Sequence, residues 1–137
     1  MTTKATLKAM REMCGLTQQD VARELGVTDR SVRRWENPEQ PHTPPQELID
    51  FIADSFRAHF DAISQTMDIV EDFDKAQNIQ LTVYRNQAQY DTLGRDSGLY
   101  TVANANTYAV AQALTTQGYK VSFAYPDEAE NIYHNRK

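Results

Sequence analysis

The sequence predicts a mainly α chain with α+β character. Three observations carry this. Apolar residues recur at helical spacing from the N-terminus to about residue 73. Past Gln77-Asn78 the period changes to two, over Ile79, Leu81 and Val83, and again over Tyr119, Val121, Phe123 and Tyr125. Ser, Thr or Asn precedes most of the helical runs, and Gly or Pro follows them. The pattern divides the chain into a helical head over residues 1–60 and an extension over 61–137. The extension is the end of a long helix followed by a strand–helix–helix–strand unit.

Taken in order, Thr2 or Thr3 caps a first helix reaching Cys14, with Leu7, Met10 and Cys14 on its inner face. Thr17 caps a second, and Asp20 can complete a capping box with it. Val21, Ala22 and Leu25 form its apolar face, Gly26 ends it, and Val27 is expected to point inward. Thr28 starts a third helix, whose buried side is Val32 and Trp35. Its outer side is Asp29, Arg30, Ser31, Arg33 and Arg34. A short helix with a cationic outer face, set against a partner helix by a glycine turn, has the form of a DNA recognition helix. A stiff loop rich in proline spans Asn37 to Pro45. Thr43 is placed to cap the next helix, with Pro44 at its first position. That helix keeps its apolar stripe to Phe73, about 45 Å at 1.5 Å per residue, with Ser64-Gln65 as the place for a break. Its outer face is acidic, a solubility feature. Next come a strand from Ile79, a helix from Gln87 to Leu93 capped by Asn86, and a helix capped by Asn104 or Asn106 and ended by Gly118. A second strand follows, stopped by Pro126, and a polar, loose tail is expected after it. Two strands alone are marginal. Completion by the long helix, by a second copy, or by both is therefore expected.

From Leu16 to Asn37 the chain resembles the helix-turn-helix of the Cro/CI (XRE) class of phage and bacterial regulators. The matching marks are Leu16-Thr17-Gln18, Val21-Ala22, Leu25-Gly26-Val27, Ser31-Val32 and Trp35-Glu36-Asn37. Pro38 departs from the class, which usually has Gly after the Asn. The resemblance implies a lambda-repressor-like head of four to five helices, with the third helix in the major groove. By position in the motif, Thr28, Asp29, Arg30 and Arg34 are the base readers it implies. Arg30 and Arg34 lie one turn apart, and each can fork onto guanine O6 and N7. Asp29 either accepts from a cytosine amine or favours the positive helix N-terminus. Gln18 matches the phosphate anchor of the class. Thr17, Ser31 and Arg33 are further phosphate contacts, and Trp35 is assigned to the core. The order of the whole chain also resembles the YdiL-like proteins and anti-CRISPR-associated (Aca) autoregulators of phages. That likeness implies a homodimer joined through the α/β half.

The net charge of −5 hides an asymmetry. Over residues 1–45, Lys4, Lys8, Arg11, Arg23, Arg30, Arg33 and Arg34 face Glu12, Asp20, Glu24, Asp29, Glu36 and Glu39, one cation in excess. The remainder therefore carries −6. A near-neutral head on an acidic body limits non-specific DNA binding and makes specific contacts decisive. The single cysteine, Cys14, allows no disulfide within the chain and reads as a small buried hydrophobe, so a cytoplasmic location is expected. Met-Thr-Thr-Lys is followed by no apolar core, so neither a signal peptide nor a membrane span is expected.

Chemistry for catalysis is lacking. No carboxylate pair stands with a positioned His or Cys, and there is no glycine-rich phosphate loop. His42, His59 and His134 show no ligand spacing, so no metal or other cofactor is expected. Tyr84, Tyr90, Tyr100, Tyr108, Tyr119 and Tyr125 read as core and interface packing, with a tyrosine-lined ligand pocket as the alternative. The leading expectation is a homodimeric repressor and autoregulator of double-stranded DNA, not an enzyme. An antitoxin-type regulator gripping a toxin protein and a ligand-responsive regulator are the alternatives.

Overall fold

The computed structural model describes residues 2–128. Its elements are α1 (Lys4–Met13), α2 (Gln18–Leu25), α3 (Asp29–Glu36), α4 (Gln46–Val70), β1 (Asn78–Thr82), α5 (Gln87–Leu93), α6 (Tyr100–Thr116) and β2 (Lys120–Ala124). The fold is mainly α with a small sheet. The chain forms two compact units, Met1–Phe60 and Asp61–Lys137. Residues 126–128 after β2 are helical, contrary to the loose tail expected there, and the rest of the tail, with His134, falls outside the described residues.

In the first unit, local sequence sets each helix boundary. The Thr3 hydroxyl accepts the Thr6 N–H and starts α1. Thr17 and Asp20 form the expected capping box on α2. Gly26 ends α2 at φ 67°, a left-handed conformation that a side chain strains, and the Val27 N–H reaches back to the Ala22 carbonyl at 2.9 Å. This reversal carries Val27 to the surface, contrary to the inward expectation. Leu7, Cys14, Val21, Val32, Leu48 and Ile52 are the fully buried apolar side chains of this unit. Trp35, expected in the core, is half-buried.

Helix α4 begins later than Thr43 predicts. The Pro45 carbonyl accepts from Leu48 and Ile49, so the helix starts at Gln46. Thr43 and Pro44 each precede a proline, which favours extended backbone over helix. The helix passes Ser64-Gln65 without a break and stops at Val70, short of Phe73. Its last turn has no cation, and Glu71, Asp72 and Asp74 meet its negative end.

In the second unit, β1 and β2 pair in parallel, with Ile79 opposite Val121 and Leu81 opposite Phe123. A parallel pair needs a crossover, and α5 and α6 supply it. The register places these four apolar residues on one face. Ile79 is buried with Val70, Val110, Leu114 and Tyr119, against which Ile63, Met67, Leu81 and Val121 pack. Asn78, Gln80, Lys120 and Ser122 stand on the opposite face. There, Asn78 Nδ2 donates to Ser122 Oγ at 2.9 Å. Helix α6 begins at Tyr100, earlier than either Asn cap predicts, and Leu99 at its cap makes no side-chain bond. Asn104 is taken by another task. Its side chain accepts the Tyr84 N–H at 2.9 Å and donates to the Tyr84 carbonyl at 2.8 Å, pinning the exit of β1 to α6.

Candidate nucleic-acid interface

The outward face of α3 is built from its cap. Thr28 Oγ1 accepts the Ser31 N–H at 3.2 Å and lies 3.1 Å from Ser31 Oγ, so the two hydroxyls sit side by side at the helix start. Asp29 is in the first turn, where its charge suits the positive helix end. Its Oδ2 accepts from Arg33 Nη1 at 3.0 Å. A sequence-predicted base reader and a sequence-predicted phosphate contact are thus paired with each other. Such exposed i,i+4 pairs contribute about 0.3–0.5 kcal/mol, so an approaching phosphate can separate them. Arg30 is exposed, and Arg34 is half-buried one turn later.

Behind this face lies a buried polar network. The Arg11 guanidinium on α1 grips the Glu36 carboxylate at the end of α3 through Nε at 2.5 Å and Nη2 at 3.0 Å. Its Nη1 donates to the Leu16 carbonyl at 2.7 Å, and Gln18 Nε2 donates to Glu36 Oε1 at 3.0 Å. Arg11 and Glu36 are both 7% exposed, so the pair is desolvated and doubly hydrogen-bonded. It ties α1, the start of α2 and the end of α3 together. Gln18, the predicted phosphate anchor, is fixed at the first turn of α2 by this bond. Thr17 is occupied as that helix's cap, with its own N–H donated to Asp20.

The C-terminal end of α3 is held from α1 as well. Lys4 Nζ donates to the carbonyls of Arg34 at 3.1 Å, Asn37 at 2.9 Å and Gln40 at 2.9 Å. An ammonium on the last carbonyls of a helix neutralises its negative end. Asn37 is extended, as a residue before proline must be, and its side chain accepts the Glu39 N–H to form the turn that replaces the glycine exit. Sequence reasoning missed Lys4, Arg11 and Glu36 as a set. The signal was present: Lys4, Leu7, Arg11 and Cys14 share one helix face, and Glu36 follows Val32 by four.

Residues 7–63 match the helix-turn-helix family. The match covers most of the first unit and supports a helix-turn-helix of the Cro/CI type there. No curated protein matches the chain. The domain is that of DNA-binding transcription regulators, which are usually non-enzymatic. In this helix-turn-helix, α2 is the first helix, Gly26 to Thr28 the turn, and α3 the second helix.

Other chemistry is sparse. Burial pushes the Cys14 thiol above its ordinary value, which keeps it protonated and inert. Among the described residues no group of three or more His, Cys, Asp or Glu side chains could hold a metal ion. No helix among them is long and apolar enough to cross a membrane.

Proposed function

We propose that the protein is a homodimeric repressor and autoregulator that reads an inverted repeat in double-stranded DNA with α3. The observation that carries this reading is the clamped recognition helix. Its buried side is tied to α1 and α2 through Arg11, Glu36 and Gln18, which supports a reading in which Thr28, Asp29, Arg30 and Arg34 meet base edges, Asp29 after parting from Arg33. Thr17, Gln18, Ser31 and Arg33 surround that face as phosphate contacts. Rigid support matters because one base position is discriminated by about 1–3 kcal/mol, which a loose helix would average away. The size of a half-site supports a second copy. One recognition helix spans a short half-site, and two heads on the same side of the duplex read half-sites about 34–36 Å apart.

The test is selection from a random duplex pool with wild type and Arg34→Ala in parallel. Wild type is expected to enrich an inverted repeat. Arg34→Ala and Arg30→Ala are each expected to lose about 1–3 kcal/mol and to relax one base position. Unchanged specificity in both variants would overturn the placement of α3. No enrichment by wild type would move the protein toward a role completed by another protein.

A further inference from the structure

The second unit contains a cavity of about 490 Å³ beside the outer edge of β1, within the size range of small-molecule sites. Leu81, Leu99, Val102 and Val110 line its apolar part. The loop that borders it is built to stay in place. Tyr90 Oη donates to Asp96 Oδ1 at 2.5 Å, and the same oxygen accepts the Gly98 N–H at 2.8 Å. Gln87 spans the other side, donating to the Gly98 carbonyl at 2.9 Å and accepting the Tyr100 N–H at 3.1 Å. Gly94 lies so close that a Cβ there would stand 2.5 Å from the Tyr90 carbonyl oxygen. This bracing presents Arg95 at the cavity lining, where its guanidinium has no ion-pair or hydrogen-bond partner among the described residues.

Gln80 and Asn106 of the lining carry amides that both donate and accept, whereas four other polar groups are one-sided. Arg95 offers only donors. Thr66 and Thr107 already give their hydroxyl hydrogens to the Ala62 and Ala103 carbonyls, at 3.1 Å each, so they offer lone pairs. Asp96 is a further acceptor, and its charge disfavours a ligand carrying two negative charges. We infer that this cavity binds an aromatic monocarboxylic acid bearing an N–H or O–H donor, with the carboxylate on Arg95, the ring against Leu99 and Val102, and the donor on the threonine oxygens. The inference concerns the second unit alone and stands whether or not α3 reads DNA as proposed.

The test is methyl NMR of the full chain titrated with indole-3-acetate, 4-hydroxyphenylacetate, indole-3-acetamide and naphthalene-1-acetate. The two donor-bearing acids are expected to shift the Leu81, Leu99, Val102 and Val110 methyls saturably while leaving Leu7 unmoved. The amide, the naphthyl acid and the Arg95→Gln variant with either acid are each expected to bind about tenfold more weakly or worse. Arg95 is exposed, so its replacement leaves the fold intact, and the ligand comparison on wild type needs no variant. Failure of both acids to shift these methyls overturns the inference. Equal binding of acid and amide, or an unaffected Arg95→Gln, does so too, and naphthyl binding as tight as indole removes the donor. Shifts that follow protein concentration without any ligand would mean that a second copy fills the cavity.

Discussion

Arg11 and Glu36 show how much one buried pair decides. Each is a charge at a core position of its helix, tolerable only because the other is present. Removing one partner strands a desolvated charge, which costs about 3–5 kcal/mol, whereas replacing both with apolar groups of similar volume is often neutral. Arg11→Met is therefore expected to lower the denaturation midpoint sharply, and Arg11→Met with Glu36→Leu to recover most of the loss. A double variant no more stable than the single one would show that the pair is not an isolated unit. Tyr90 makes a second residue-scale case. Burial first, then its bond to Asp96, pushes its phenol up to about 12 from 10.0. The folded state holds this proton more tightly than the unfolded state. The contribution is thus complete below pH 10.0 and is lost as pH rises toward 12. Asp96 has the opposite sign. The Tyr90 hydroxyl, and then the Gly98 N–H, hold its carboxyl below the usual range. Its contribution is present above 3.8 and fades as pH falls through the folded value. Ultraviolet titration should find one tyrosine ionising near 12, absent in Tyr90→Phe, whose Asp96-linked acid step should shrink to what the Gly98 N–H sustains.

At the scale of elements, α6 is joined to the sheet through both apolar packing and Asn104. The Asn104 amide is 8% exposed and satisfies both backbone groups of Tyr84, which lies past the last ladder residue of β1. Asn104→Leu keeps the volume but leaves a part-buried N–H and C=O without these partners. The expected cost is about 1–3 kcal/mol for each orphaned group. Hydrogen exchange would test it: the Tyr84 and Val83 amides should lose protection while Val21 and Val32 in the first unit keep theirs. Uniform loss across both units would mean that Asn104 supports the whole chain and not one joint. Helix α3 is held by comparable means, with Lys4 on its last carbonyls and Glu36 beneath them.

For the whole molecule, the distribution of charge predicts how affinity responds to salt. Residues 1–45 carry one cation in excess, and the rest carries −6. Long-range attraction to DNA is accordingly small, and affinity depends on placed contacts. Arg33→Ala is expected to reduce the slope of log K against log salt by about one without changing the preferred sequence, whereas Arg34→Ala should blur the sequence. Binding curves at several salt concentrations separate the two. A slope unchanged by Arg33→Ala would remove Arg33 from the phosphate contacts and leave it as the partner of Asp29.

The sequence by itself determined the local features of this protein. Thr3, Thr17, Thr28 and Asn86 cap their helices through their own hydroxyl or amide oxygen, and Gly26 ends α2 because of its missing Cβ. These interactions span three or four residues, so spacing alone reveals them. The helix-turn-helix was legible for the same reason, being some twenty consecutive residues of local rules. Tertiary structure decided what spacing could not. Asn104 has the composition of a cap, but the nearness of Tyr84, twenty positions away in sequence, made it a clamp. The two strands alternate in sequence whichever way they pair, and only the α5–α6 crossover made them parallel. Arg11 and Glu36, twenty-five positions apart, entered the sequence reading only as charges to count and became one buried contact when α1 met α3. In each case the deciding partner is remote along the chain, and a pattern confined to one element carries no record of it.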